Sequence, residues 1–501
     1  MNRKRVIRII AIVLAVLLAG GVVVGALISA LAEAPATPEA RNQQAITMEY
    51  LEGEQALHIT QRLVYINRAG DRLDAVVFYA AGNMFRRESA LMYETDDLEA
   101  VFFAGYAPGG IDLRSVRCDG EDADYGFQGE AETYLRVACD VAPGERCAFE
   151  FDYYLLLTRC GAFQGVGDTD VRLSAFCFIP AVYDARYGEF TLTKPIPHAR
   201  WLHCDAADYT ADVVLPDGYV LAGTGAATKL DSEGNRWRVE AENARDFALS
   251  FGKRWRVTGG ESASGVAVRV YTNVRGAGRR ALDAAISAID QCEAWFGALP
   301  VRELDIVQSD YPLGEMNFTG AMWLPSDLFS TRNAGTLAQR IRYCVAQQYF
   351  GLSAYVEPSA DAWMSDAVSE YVACLLLEAV AGRDKFLAAV NREWVSALQQ
   401  TVPGGLHVTS DAALFSKGSY DIVVRVRGAV VLHELRLATG LEGFIAGLNN
   451  FCQMGQNGKT LTELDFVSAF DAATGGSWTD FLTDWLFNVG DYVGQDMEWY
   501  E

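Results

Sequence analysis

The hydrophobic period changes once along this chain, and that change restricts the folds open to it. From about residue 46 to 257 the apolar residues come in short alternating runs, and a period of two puts successive side chains on opposite faces of a strand. In Cys147–Tyr153, Phe149 and Phe151 alternate with Glu150 and Asp152, and in Arg236–Glu240, Trp237 and Val239 alternate with charged residues. Both stretches predict one buried and one wet face, and the whole region predicts a β-sandwich or saddle. Leu57–Ile66 and Leu73–Tyr79 flank a turn-rich Asn67–Asp71 stretch and predict a hairpin. The Gly- and Ser-rich segment Thr258–Gly265 has no periodicity and predicts the domain boundary. A strand is expected at Val266–Tyr271. Helical spacing then takes over: Leu282, Ile286, Ile289 and Phe296 mark one helix face. Further helices are expected near 334–350, 361–380, 383–401, 421–438, 441–454, 462–473 and 477–487. Strands followed by helices imply the α+β class, with a β domain over 46–257 and a mostly helical domain over 266–495.

The N-terminus carries a different signal. Arg3, Lys4, Arg5 and Arg8 precede an uncharged run from Ile9 to Leu31. A bilayer core takes about 20 apolar residues, more than a signal-peptide core of about 7–15. Residues 9–31 therefore predict a transmembrane anchor, with the basic flank 1–8 cytoplasmic and residues 33–45, with Pro35 and Pro38, as a tether. This reading makes the chain a single-pass protein of the cell membrane, its bulk extracytoplasmic. The alternative is secretion after cleavage at Ala30-Leu31-Ala32.

The formal net charge of −23 argues against nucleic acid as a partner. None of the ten cysteines falls in a tight metal-binding spacing. Export permits disulfides, and Cys139 and Cys147 are placed to face each other across a hairpin. Other cysteines sit in apolar runs and suit small buried hydrophobes.

The stretch Tyr343-Cys344-Val345-Ala346-Gln347-Gln348-Tyr349-Phe350-Gly351 lies on an expected helix. It resembles the H-E-x-x-H-x-W-F-G helix of the M1 (gluzincin) family of zinc aminopeptidases. Asp366, in Trp363-Met364-Ser365-Asp366-Ala367-Val368-Ser369-Glu370-Tyr371, stands where that family has its third zinc ligand, within W-L-N-E-G-F-A-E-Y. Gly314-Glu315-Met316-Asn317-Phe318-Thr319-Gly320 resembles the family's G-G-M-E-Y-P-G substrate strand, and Arg425-Val426-Arg427-Gly428-Ala429 its Y-x-K-G-A helix start. Trp478–Gly490 resembles its closing W-L helix. Val213–Gly225 and Asp246-Phe247-Ala248 resemble its N-terminal β domain. The resemblance covers roughly 46–492. It implies a β-sandwich or saddle domain followed by a thermolysin-like, mostly helical domain.

The chemistry that the family needs is missing at every matching position. Its zinc is held by two imidazoles at i and i+4 and by a carboxylate from the next helix. Here the three positions are Tyr343, Gln347 and Asp366. A phenol with a pKa of about 10 and a neutral amide are poor zinc ligands, and Asp366 is one carbon short. Cys344 replaces the general base, Asn317 the glutamate that holds the substrate amine, and Arg425 the tyrosine that stabilises the oxyanion. A cysteine cannot orient a zinc-bound water as a carboxylate does.

Other tempting residues have plainer readings. Cys344 suits a buried thiol. His433-Glu434 suits a helix-surface pair, because Leu437 stands where a second histidine would be needed. His198 and His203, near Trp201, are weak metal candidates. Asp366 itself suits the first turn of its helix, where a carboxylate favours the dipole.

The expectation is a non-catalytic M1-like protein without zinc. Its cleft, lined by Met316, Asn317, Asp366 and Arg425, would bind a peptide or a protein. The alternatives are an active zinc peptidase with unusual ligands and a structural or assembly protein of the cell surface.

Overall fold

A computed structural model describes residues 41–488, apart from 231–233, 391–393, 401, 403 and 457. The basic flank 1–8, the anchor expected at 9–31 and most of the tether lie outside the described residues, as does the chain beyond 488. Among the described residues no helix is long and apolar enough to cross a membrane.

The first half is layered sheet. An eight-stranded sheet has at its centre Asn42–Leu51, paired parallel to Ala207–Val214 and antiparallel to Ala56–Ile66, which in turn pairs with Arg146–Leu156. Two four-stranded sheets cover its inner face. Phe78, on the Leu73–Tyr79 strand of one of them, meets Phe149 and Phe151 edge-on with ring centroids 5.0 and 5.3 Å apart. Tyr50 meets Phe251 of the other. Alternation along Arg146–Leu156 buries Cys147, Phe149, Phe151 and Tyr153, as the sequence pattern predicts.

Three local expectations fail. The Ala56–Ile66 and Leu73–Tyr79 strands are not a hairpin. They belong to different layers, the second pairing with Tyr134–Val141 and Ile179–Pro180. Asn67 holds the corner between them, its Nδ2 donating to the Asp71 and Val141 carbonyls at 2.9 Å. The tether ends early, because Asn42–Ala45 already lie in a strand. Gln61 Nε2 donates to Gln44 Oε1 (2.6 Å) and to the Phe178 carbonyl (2.7 Å) inside the sandwich, so buried polar residues disguised the strand. The expected boundary at 258–265 is the strand Arg256–Glu261 and its turn, antiparallel to Ala267–Thr272. Gly260 lies against the following helix: a Cβ there would sit 3.1 Å from Leu282.

The hairpin edges a five-stranded sheet that opens the second half and ends on Met316–Phe318. Against it packs Ala277–Phe296, which buries Leu282, Ile289 and Phe296. The remaining helices fall close to their expected places. Gly428–Gly455 turns at Gly440, whose φ is 72°. The two halves are bonded together. Thr169 donates to Asp310 (2.7 and 2.8 Å), and Asp246 accepts from the Thr319 amide (2.7 Å).

His433 corrects another expectation. It is wholly buried, not on a helix surface. Its ring is bonded to the Tyr371 hydroxyl at 2.9 Å and packs near Phe386. His203 is bonded likewise to the Tyr355 hydroxyl at 3.1 Å and stacks on that ring. Burial pushes His433 down to about 3 and His203 down to about 4. Both folded values lie below the unfolded 6.5, so their neutrality stabilises the fold fully above pH 6.5. That stability is lost as pH falls toward 4 and 3, at up to about 1.4 kcal/mol per pH unit for each histidine. Urea unfolding is expected to show stability falling by roughly 2–4 kcal/mol from pH 7 to pH 5. A midpoint that holds steady over this range would refute the assignment.

Candidate functional site

The motif helix Ala334–Gln347 and the helix Ala362–Ala381 pack side by side. Tyr343 and Gln347 are four residues apart, so they share a face, and that face is turned to Asp366. Gln347 Nε2 donates to the Tyr343 hydroxyl at 3.0 Å and to Asp366 Oδ1 at 2.8 Å. The other Asp366 oxygen accepts from the Tyr420 hydroxyl at 2.7 Å. The three positions matched to zinc ligands thus converge, linked by one primary amide. Asp366 lies just past the first turn, since its helix begins at Ala362, and it points at neighbouring side chains.

After the motif helix the chain widens into a π-helical turn, Gln348–Ser353, and a second one, Asp421–Arg427, carries Arg425. Such turns often occur at functional sites. Arg425 bonds Glu315 and lies 3.7 Å from Glu370 and 3.4 Å from Asp421. Arg340 bonds Glu370 at 2.6 and 3.0 Å and lies 3.6 Å from Glu315. The Arg425 and Arg340 guanidiniums lie 4.3 and 5.2 Å from the Tyr343 ring centroid. Burial would raise the Glu315 carboxyl, but Arg425 and Arg340 outweigh it and hold it down at about 2. Burial pushes the Tyr343 hydroxyl well above its usual range. It does the same to the Cys344 thiol, with Glu315 adding to the effect. Cys344 is fully buried and protonated, which removes it as a nucleophile.

The site opens into a cleft with about 130 Å³ of enclosed space, lined by Met316, Asn317, Tyr343, Gln347, Asp366 and Arg425. Its other wall is built from the β half, by the Ile196–Leu202 segment. His198 lies there with Nε2 3.3 Å from the Ala412 carbonyl, and Arg200 forms an ion pair with Asp246 at 3.3 Å. Asn317 Oδ1 is buried and has no donor among the described residues.

Sequence reasoning missed Glu315, Arg340, Glu370 and Tyr420. Glu315 and Glu370 lie inside the matched motifs, and Arg340 is one helical turn before Tyr343. Four charges around one aromatic position were the available signal. Gly428 also finds its reason here. A Cβ on it would lie 2.5 Å from the Ala367 Cβ, so glycine lets the Arg425 segment approach the Asp366 helix. Gly428→Ala is expected to cost about 1–3 kcal/mol by overpacking, read as a lower urea midpoint; an unchanged midpoint would show that the helices can separate freely.

No protein-family model matches the sequence, and no curated protein matches it. Solved structures do. The M1 zinc metallopeptidase of Deinococcus radiodurans superposes with a TM-score of 0.63 at 15% identity, over 90% of this chain and 93% of that one. The fold is M1-like. A point mutant of the same enzyme bound to a Tyr-Ser-Ala substrate gives 0.63 at 15% identity over 90% and 95% of the two chains. A further structure of that mutant gives 0.62 at 16% identity over 90% and 94%. The strand-rich first half and helical second half of this chain agree with that fold.

Proposed function

We propose that this M1-like protein is a non-catalytic, membrane-anchored, extracytoplasmic binding protein that takes a short peptide or a protein segment in its cleft. The observation that carries the proposal is the Asp366 carboxylate held by its neighbours, one oxygen accepting from Gln347 and the other from Tyr420. The residues at the metal position do not fit zinc. Tyr343 is a protonated phenol, Gln347 offers a neutral amide, and the Arg425 guanidinium lies beside them. Zinc prefers thiolate, imidazole and free carboxylate ligands. Hydrolysis in the M1 manner also needs a carboxylate to take a proton from water, and Cys344 at that position does not supply one.

The cleft lies between the β half and the helical half, open to solvent on one side. It presents apolar Met316, Trp201 and Leu313 beside the polar groups, a mixture suited to peptide side chains and backbone.

The test is metal analysis of the purified extracytoplasmic part by mass spectrometry, with a fluorogenic aminopeptidase assay alongside. The expected result is no stoichiometric zinc and no cleavage. One zinc per chain with chelator-sensitive cleavage would establish an active peptidase instead. Peptide-array binding that is lost in Asn317 and Asp366 variants but kept in outer-surface variants would support the cleft; the reverse pattern would favour a surface assembly role. N-terminal sequencing of the membrane fraction should retain Met1, and a start at Glu33 would show a cleaved signal.

A further inference from the structure

Charged side chains line much of the cleft, and each of its cations already has a carboxylate. Arg200 pairs with Asp246 at 3.3 Å, Lys417 with Asp421 at 2.8 Å, and Arg425 with Glu315. The remaining cleft carboxylate, Asp366, accepts from Gln347 and Tyr420. A charged group entering here would give up its water and meet opposite charges that are already satisfied. Desolvation then outweighs the attraction that is left.

Three single polar atoms are in the reverse condition. Asn317 Oδ1, His198 Nδ1 and Arg200 Nη1 are shielded from water and have no partner among the described residues. All three residues line the cleft. His198 Nε2 lies 3.3 Å from the Ala412 carbonyl, so that nitrogen carries the proton. Burial holds the ring below its usual 6.5, and Nδ1 is an acceptor at neutral pH. The set is two acceptors and one donor. A backbone amide complements it, with an N–H for an acceptor and a C=O for the guanidinium. Each of the three residues is only half-buried, so a side-chain rotation presents its polar atom to the cleft. Beside them lie Met92, Ile196, Trp201, Leu313, Met316 and Phe318, which suit an apolar side chain.

We propose that the cleft takes an internal, uncharged stretch of peptide with an apolar side chain and discriminates against a free amino or carboxyl terminus. The proposal rests on the reading of the cleft as a peptide-binding site and adds which part of a peptide enters. An internal stretch keeps the charged ends of its own chain outside, in water.

The full chain in detergent is titrated with the tripeptide Ala-Phe-Ala in four forms: both ends free, acetylated only, amidated only, and capped at both ends. Ligand-observed NMR gives each Kd. The doubly capped form should bind at least about tenfold more tightly than the form with both ends free, because two charged ends are no longer desolvated. Replacing the central Phe of the capped peptide by Lys or Glu should weaken it by a similar factor. Asn317→Asp puts a charge at the acceptor and should bring the free-amine form level with the capped one or past it. Equal binding of all four forms, tighter binding of a free-ended form, or an unchanged preference in Asn317→Asp would overturn the proposal while leaving a peptide-binding protein. No binding by any form would overturn both readings. The wild-type comparison decides this even if the variant fails to fold.

Discussion

Replacing Arg425 with alanine is expected to lower the unfolding free energy by about 3–5 kcal/mol, the range for removing one member of a buried ion cluster. The reason lies in the charges left behind. Glu315 and Glu370 have side chains only 8% exposed, and Arg425 and Arg340 are their cations. With Arg425 gone, one guanidinium must serve two buried carboxylates, and the Tyr343 ring loses its cation at 4.3 Å. Glu315→Gln added to Arg425→Ala should restore part of the loss, because it removes the charge left without its partner. The pH dependence gives a further check. Glu315 has a folded value of about 2, below the ordinary 4.5. Its contribution is complete above pH 4.5 and is lost as pH falls through about 2. The difference between wild type and variant should therefore be largest above pH 4.5 and shrink at lower pH. Urea unfolding measures it, and a loss below about 1 kcal/mol would mean that the cluster is solvated and that its buried geometry is wrong.

Restoring both imidazoles, by Tyr343→His with Gln347→His, is expected to give weak zinc uptake at best. Asp366 would still accept from Tyr420, and Arg425 would still stand beside the ion. A single charge about 5 Å from a dication repels it by roughly 7 kcal/mol at an effective dielectric of about 20. Glu315 and Glu370 offset much of this repulsion. A remainder of about 1.4 kcal/mol still means a tenfold weaker Kd. Adding Arg425→Tyr should therefore tighten zinc binding at least about tenfold, as seen by competition with a chromophoric chelator. Neither variant should hydrolyse aminoacyl amides while Cys344 stands where the base is needed. Equal zinc affinity for the double and triple variants would show that Arg425 does not occupy the metal's surroundings.

Much of the site was legible before any coordinates. The i, i+4 spacing of Tyr343 and Gln347 and the offset to Asp366 follow from helical period and counting, and the packing brings all three together. The consequence of the substitutions was not legible. Arg425 and Glu315 are 110 residues apart in the chain, and no local period reports a pairing at that range. His433 was misplaced for a related reason. One histidine in a helix looks like a surface residue until Tyr371 and Phe386 are seen to cover it.

The sequence by itself determined the strand-then-helix order, the near-limits of most helices, and the i, i+4 pair Tyr343 and Gln347 with Asp366 on the next helix. These properties are local, set by side-chain period and by which atoms a residue owns. Only the tertiary structure decided which layer each strand joins, that Asn42 and Gln44 are interior, and that the Thr258–Gly265 segment is sheet edge. It also decided how these three residues meet: the Gln347 amide bridges Tyr343 and Asp366, ringed by two arginines and two glutamates. Burial and long-range pairing determine those features, because a polar side chain is tolerated inside only where its partners, however distant in sequence, are brought to it.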